Sequence, residues 1–305
     1  MLRAAFISLS ESRSIRSAAE KTWIGQRVSR RFVAGTTVEE AMAATRAMNQ
    51  LGLGVSVDNL GENVTNADEA RHSAQLYHQL LDQMSERQLN ANVSLKLTHM
   101  GLDVDEAMAY ETTSGLVQHA ARLKNFVRVD MEGSPYTQRT LDFVHRLHRH
   151  PENAGYVGAV IQAYLHRSEK DIEQLIAGRI RVRLCKGAYR ETPEIAFEKK
   201  SDVDANYVKL MKMLLKSGVY HGIATHDENM IRAAIDFARK EKIAPSAFEF
   251  QMLYGVRRDL QLKLIKEGWR CRVYIPFGTE WYPYLMRRLA ERPANAIFIL
   301  KNLFR

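Results

Sequence analysis

The sequence predicts an α/β fold, a (β/α)₈ TIM-like barrel with an N-terminal helical extension. Eight short apolar runs rich in β-prone residues follow one another along the chain, and longer stretches with helical periodicity separate them. The chain has 305 residues, a length that such a barrel commonly occupies as one unit. Because no sharp linker divides the sequence, we expect one structural domain, with residues 1–50 as a helical lead-in and residues 51–305 as the barrel.

The lead-in is predicted to contain a helix over residues 39–49, since Thr37 can cap its first turn and acidic residues follow. Two of the later helices are predicted over residues 67–87 and 202–216, where apolar residues recur at helical spacing. The predicted strands are residues 54–58, 92–97, 126–130, 157–164, 180–184, 222–225, 247–251 and 272–276.

Charge and composition limit the classes of function. The net charge is +9, but basic residues are spread along the chain among acidic ones, so we expect no nucleic-acid partner. The densest basic stretch covers residues 13–31. Cys185 and Cys271 lie in predicted strands, which indicates a reducing, cytoplasmic environment without a disulfide framework. No spacing typical of zinc ligands occurs, so we also expect no metal.

Polar residues end the predicted strands. In barrels of this class the active site lies at the carboxyl ends of the strands, so these side chains should meet at one mouth. Two adjacent arginines, Arg287 and Arg288, follow the eighth strand, at what we predict to be the start of a helix. A pair of guanidinium groups there can hold a carboxylate, which indicates a small acidic substrate. The polar strand ends are Asp58, Lys96, Asp130, Gln162, Arg183, Thr225, Gln251 and Tyr274.

Seven short motifs occur in a fixed order along the predicted barrel. They are SLKLT at residues 94–98, VDMEGS at 129–134, QAYL at 162–165, RLCKGAY at 183–189, ATH at 224–226, FEFQ at 248–251 and YLMRRL at 284–289. In content and order these motifs resemble the proline dehydrogenase family. Each motif alone is weakly or moderately specific, and the ordered set carries the resemblance.

The resemblance implies that the barrel of residues 51–305 holds FAD non-covalently and oxidises L-proline to Δ¹-pyrroline-5-carboxylate, the first step of proline catabolism. It also implies that the electrons pass to a quinone, and hence peripheral contact with the inner membrane. The basic stretch of residues 13–31 is the part of the chain that would attract anionic lipid. The length matches the short, single-function bacterial form of the family.

The resemblance assigns substrate residues at the mouth. Arg287 and Arg288 would clamp the carboxylate of proline, because a planar guanidinium fork matches a carboxylate. Lys96, Tyr274 and Glu291 would complete the substrate pocket.

The resemblance also assigns catalytic and cofactor residues. Asp130 would orient neighbouring polar groups by hydrogen bonds, and Arg183 would stabilise the anionic reduced flavin. The cofactor-binding residues that it implies are Met131, Gln162, Arg183, Lys186, Gly187, Ala188, Thr225 and His226.

Three other interpretations stay open at this point. A Schiff-base aldolase or lyase could use Lys96 or Lys186, and it would be colourless where a flavoenzyme is yellow. A nucleic-acid binder would show binding that depends steeply on salt. A flavoenzyme could instead act on a related cyclic imino acid such as hydroxyproline or pipecolate.

Overall fold

The computed structural model describes residues 29–291, with side chains as far as residue 286. Eight strands form one closed barrel in sequence order, and every neighbouring pair is parallel, including the pair that closes the barrel. The predicted (β/α)₈ fold class is therefore confirmed. The strands are β1 Gly54–Asn59, β2 Ala91–Leu95, β3 Val127–Val129, β4 Val157–Gln162, β5 Arg181–Cys185, β6 His221–Ala224, β7 Phe248–Leu253 and β8 Cys271–Phe277.

Helices follow the strands and cover the outside of the barrel. They are α1 Val38–Gln50, α2 Ala67–Glu86, α3 Glu106–Arg122, α4 Ser134–Arg149, α5 Ser168–Ala177, α6 Lys200–Lys216, α7 Glu228–Lys240, α8 Arg258–Lys266 and α9 Trp281–Glu291, with a 3₁₀ turn at Pro245–Ala247. Among the described residues, no helix is both long and apolar enough to cross a membrane.

The second strand ends earlier than the sequence predicts. β2 stops at Leu95, because the backbone turns at Lys96, whose carbonyl oxygen accepts hydrogen bonds from the backbone N–H groups of His99 and Met100, each at 3.2 Å. Lys96 is therefore the first residue after the strand. Its side chain still belongs to the carboxyl-end mouth of the barrel.

Helix α1 begins as predicted and covers the seam of the barrel. Its first turn is closed by a capping box in which Glu40 N donates to Thr37 Oγ1 at 3.2 Å and Thr37 N donates to Glu40 Oε2 at 3.1 Å. The helix packs against β1 and β8, where the barrel closes. Residues 1–28, with most of the basic stretch 13–31, lie outside the described residues, and the division of the chain at residue 50 stays a prediction.

The barrel interior carries polar layers between apolar walls. The outward faces of the strands are valine- and isoleucine-rich and pack on helix side chains such as Tyr77 and Leu80 of α2, which are fully buried. Inside the barrel, polar side chains from several strands are also buried, and buried polar groups need partners to be tolerated. These interior side chains include Ser56, Asp58, Asn92, Ser94, Arg128, Arg183, Glu249 and Gln251.

Candidate active site

Asp130 and Arg183 form an ion pair inside the carboxyl-end mouth. Asp130 directly follows β3 and Arg183 lies in β5, so closure of the barrel brings them together. Arg183 Nη1 donates to Asp130 Oδ1 at 2.6 Å, and their side chains are only 8% and 12% exposed. Ser94 of β2 completes a triangle, because its hydroxyl donates to the same carboxylate oxygen at 2.8 Å and accepts from Arg183 Nη1 at 3.0 Å. The pair is desolvated and geometrically fixed.

Tyr274 of β8 binds the second oxygen of the same carboxylate. Its hydroxyl donates to Asp130 Oδ2 at 2.8 Å. The guanidinium carbon of Arg183 lies 5.1 Å from the centre of the Tyr274 ring, within the range of a cation–π contact. Asp130 therefore bonds to Arg183, Ser94 and Tyr274 at once, and its catalytic role stays a prediction.

Lys96 and Asp58 form a second charged pair at this mouth. Lys96 Nζ lies 3.7 Å from Asp58 Oδ2, and the Asp58 side chain is 1% exposed. That oxygen has no hydrogen-bond partner among the described residues. Burial raises the pKa of Asp58 to about 6, with Lys96 opposing the rise and Asp130 adding to it.

The charge state of Lys96 follows from these neighbours. Burial alone would lower the pKa of Lys96, but attraction to the Asp58 and Asp130 carboxylates outweighs it and raises the pKa above its usual range. Lys96 is therefore a stable ammonium group in a largely buried position, and it contributes a permanent positive charge beside the Asp130–Arg183 pair.

Gln251 and Glu249 form a hydrogen-bonded chain that holds Arg183 on the side opposite Asp130. Arg183 Nε donates to Gln251 Oε1 at 2.5 Å, and Gln251 Nε2 donates to Glu249 Oε1 at 2.6 Å. Glu249 also accepts from Arg272 Nε at 2.7 Å, so its charge is balanced. All five N–H groups of a guanidinium are donors, and this chain fixes the edge of Arg183 that faces away from Asp130.

Gln162, at the end of β4, joins the loops that follow β3 and β5. Its amide nitrogen donates to the backbone carbonyl of Glu132 at 3.0 Å, and its amide oxygen accepts from the backbone N–H of Ala188 at 3.3 Å. Glu132 in turn accepts from the hydroxyl of Thr98 at 2.6 Å. Met131 lies between Asp130 and Glu132 and is buried. Met131, Gln162 and Ala188, which the resemblance predicts as cofactor residues, lie at one mouth, and their cofactor role stays a prediction.

The loop after β5 needs glycine at position 187. Gly187 has φ of +126°, and a Cβ built there would lie 2.2 Å from Tyr164 Cδ1. No other residue type fits that space without a shift of the aromatic ring. Lys186 is held by two carboxylates, since its Nζ donates to Asp204 Oδ1 at 2.5 Å and to Asp227 Oδ2 at 2.7 Å. Its cofactor role stays a prediction.

Thr225 and His226, directly after β6, serve local backbone contacts. Thr225 Oγ1 accepts from the backbone N–H of Asp227 at 3.1 Å, and His226 Nε2 accepts from the backbone N–H of Leu253 at 2.9 Å. These bonds fix both side chains at the same mouth as Gln162. Their contact with a cofactor stays a prediction.

The position of the predicted arginine clamp differs in one respect from the sequence analysis. Helix α9 begins at Trp281, so Arg287 and Arg288 lie beyond its first turn and not at its start. The partial charge of a helix terminus decays within the first turn, so it adds little to these arginines. The side chains of Arg287, Arg288 and Glu291 lie outside the described ones, and their substrate role stays a prediction.

Three residues of the site received no role from the sequence. Asp58 and Gln251 appeared there only as polar strand ends, and Ser94 only as a motif letter. The signal that could have found them is the two-residue period of a strand. Ser94 lies two positions before Lys96, the first residue after β2, and Gln251 two after Glu249 in β7, so this period places each on the inward side with a charged neighbour.

Comparison with known proteins supports one family. A family model described as proline dehydrogenase matches residues 41–301. "Proline dehydrogenase 2" of Bacillus subtilis is 41% identical over 298 residues, which cover 98% of this chain and 97% of that protein. "Proline dehydrogenase" of Deinococcus radiodurans is 35% identical over 309 residues, which cover 100% of this chain and 98% of that protein.

A solved structure supports the same assignment. The crystal structure of proline utilization A (PutA) from Bdellovibrio bacteriovorus, inactivated by N-propargylglycine, matches with a TM-score of 0.83 and 26% identity over 90% of this chain. The match covers 34% of the PutA chain, so this chain spans about a third of that protein. The barrel, the ordered motifs and the full-length relatives together show that this chain belongs to the proline dehydrogenase family.

Proposed function

We propose that this chain is an FAD-dependent dehydrogenase that oxidises L-proline to Δ¹-pyrroline-5-carboxylate and passes the electrons to a quinone. The observation that carries the proposal is the buried Asp130–Arg183 pair beside Lys96. This pair lies at the same mouth of the barrel as Gln162 and Gly187. The chain that carries it belongs to the proline dehydrogenase family.

The residues at this mouth fit a flavin. Gln162 offers both a donor and an acceptor to the polar edge of a ring system. Gly187 lets the loop after β5 pack against Tyr164 at this mouth, because any side chain there would collide with that ring. Arg183 is a fixed cation of the kind that favours an anionic reduced ring. When bound, the flavin would supply the two-electron acceptor that amino-acid side chains lack.

The substrate would be held by charge. In this proposal Arg287 and Arg288 bind the proline carboxylate as bidentate forks, and Lys96 adds a third positive charge. Tyr274, fixed by its bond to Asp130, presents an aromatic ring that can pack against the apolar ring of proline. With the substrate held in this way, the reaction takes place within one complex and does not depend on a bimolecular encounter in the correct orientation.

The state of Lys96 argues against a Schiff-base enzyme. A nucleophilic lysine must be neutral, which requires a lowered pKa. Attraction to Asp58 and Asp130 outweighs burial and raises the pKa of Lys96. Lys186 is likewise bonded to two carboxylates. Lys96 therefore suits charge-based binding, Lys186 is held in ion pairs, and the absence of borohydride trapping with carbonyl substrates would support this interpretation.

The quinone acceptor and the membrane contact rest on the family resemblance. Residues 13–31 carry the densest basic stretch and would attract anionic lipid. We expect binding to anionic vesicles to weaken when this stretch is deleted and to fall with rising salt. Vesicle binding that survives the deletion unchanged would remove this part of the proposal.

An anaerobic absorption spectrum tests the central part of the proposal. The purified protein should show flavin absorption that L-proline bleaches and that a soluble quinone restores. Hydroxyproline and pipecolate in the same titration would show which cyclic imino acid is preferred. A protein that carries no flavin and takes up none would refute the proposal, as would a flavin that none of these compounds reduces.

The related PutA suggests a second test. That protein is described as inactivated by N-propargylglycine. We expect the same compound to inactivate this chain irreversibly, and an excess of L-proline to protect against it because both would compete for one pocket. Inactivation that proceeds equally fast with and without proline would place the reaction outside the proposed site.

A further inference from the structure

A cavity opens at the other end of the barrel, opposite the site described above. Its volume is about 440 Å³, within the range of small-molecule sites. The wall is built from the loops that precede β2, β3 and β4 and from the first residues of β5, β7 and β8. None of the residues assigned to the candidate active site in the sequence analysis lines it.

The charge of this cavity is one-sided. Four cationic side chains line it, Lys124, Arg128, Arg181 and Arg272, against the single carboxylate of Glu249. That carboxylate is already engaged, since it accepts from Arg272 Nε at 2.7 Å and from the hydroxyl of Tyr220 at 2.9 Å. The remaining cations have no carboxylate partner in the part of the chain that the structure describes.

Arg128 of β3 is the buried centre of this wall. It is 4% exposed, and its Nη1 donates to the carbonyl oxygens of Ala159 at 2.9 Å and Arg181 at 2.6 Å. Its Nε is buried without a hydrogen-bond partner among the described residues. Burial, together with the nearby Arg183, lowers the pKa of Arg128 well below its usual range. An isolated buried cation is costly, and a bound anion would offset that cost.

The fold makes room for this arginine. At Gly158, the register partner of Arg128 on β4, a Cβ would lie 2.7 Å from Arg128 Nη1. Arg181 stands beside it with its guanidinium carbon 5.0 Å from the centre of the Phe126 ring and 5.9 Å from that of Tyr220. Stacking on aromatic rings fixes a guanidinium while leaving its N–H groups available to a ligand.

We propose that this cavity binds a small oxyanion with two or more negative charges, such as phosphate or a polycarboxylate. Because cations outnumber the single carboxylate, which is already paired, the ligand should carry negative charge. The half-buried, ring-stacked Arg181 supplies a fork-shaped donor that matches phosphate and carboxylate oxygens, and Arg128 behind it adds positive charge. The concave shape and the volume of about 440 Å³ select a small molecule over a polymer. The proposal does not depend on the redox function.

Calorimetric titration of the FAD-loaded protein tests this proposal. Inorganic phosphate and citrate serve as separate probes at constant ionic strength, which distinguishes the two sources of the oxyanion. We expect saturable binding of at least one of them. Arg181→Gln should weaken that binding about tenfold or more, the usual loss for a hydrogen bond to a charged group.

The matched control is Arg146→Gln. Arg146 is also a ring-stacked arginine, 3.5 Å from the centre of the Tyr110 ring, but it lies on α4 outside the cavity. A second variant, Lys124→Asn, removes a charge at the cavity wall and keeps the left-handed backbone, with φ of 53°, that asparagine tolerates. Weaker binding in Arg181→Gln and Lys124→Asn, with unchanged binding in Arg146→Gln, supports the site. No saturable binding of either probe, or equal weakening in all three variants, overturns it.

Discussion

Asp58→Asn removes one buried charge and leaves the shape of the site nearly unchanged. Asp58 is 1% exposed, and burial raises its pKa from the ordinary 3.8 to about 6. Asparagine does not titrate, so the variant separates the charge of this residue from its packing. Lys96 stays protonated throughout the acidic range, so its attraction to Asp58 appears as Asp58 ionises and is already included in the raised pKa of Asp58.

The sign of the effect follows from the direction of the pKa shift. A carboxyl with a raised pKa binds its proton more tightly in the folded state, so its contribution to stability is greatest below the unfolded pKa and is lost as pH rises through the folded one. Between about pH 4.5 and about pH 7 this loss amounts to ~2 kcal/mol for a shift from 3.8 to about 6. The wild type should therefore lose ~2 kcal/mol relative to Asp58→Asn over that interval.

Urea unfolding at a series of pH values measures this difference. The control is Asp236→Asn, which removes an exposed carboxylate in the middle of α7. The unfolding free energy of Asp58→Asn minus that of the wild type should rise by ~2 kcal/mol over this interval, and the same difference for Asp236→Asn should change by less than half of that. Parallel pH profiles for wild type and Asp58→Asn would refute the reasoning.

Four further variants test the site. Asp130→Ala should lower turnover about tenfold or more, because Arg183 loses a charged hydrogen-bond partner; steady-state assays with proline would count against this role if turnover stayed normal. Arg183→Met should lower the flavin potential in an anaerobic redox titration, and an unmoved potential contradicts the electronic role. Arg288→Lys should raise KM for proline about tenfold while FAD stays bound, since lysine lacks the planar fork; unchanged KM would remove Arg288 from the clamp. Gly187→Ala should lower the free energy of unfolding by about 1–3 kcal/mol and reduce the FAD-to-protein ratio, because the added methyl group collides with Tyr164. A variant with a full complement of FAD and an unchanged melting temperature would contradict this.

The fold was predictable because each strand is a short, largely apolar run of β-prone residues. In a parallel barrel both faces of a strand are buried, so such runs stand out from the amphipathic helices between them. Boundaries were less predictable where local turns compete, as at Lys96, whose carbonyl ends β2 early. The start of α9 was misjudged, because Pro283 in the first turn, where a proline is tolerated, does not delay the helix.

The partners within the site could not be read from the sequence alone. Asp58 meets Lys96 only because β1 and β2 pair with Asp58 opposite Ser94. Register between strands depends on the closed barrel as a whole and not on local sequence. For the same reason the cavity shared by Arg128 and Arg272 could not be predicted, since β3 and β8 border one opening, at the end opposite the active site, only when the barrel closes.

A crystal structure of the oxidised protein with FAD and a non-reactive proline analogue tests the central claim most directly. We predict that the flavin ring lies at the carboxyl-end mouth within hydrogen-bond distance of Arg183 and Gln162. The analogue should stack on the ring with its carboxylate on Arg287 and Arg288. A flavin bound elsewhere on the barrel, or an analogue whose carboxylate contacts neither arginine, would contradict the account.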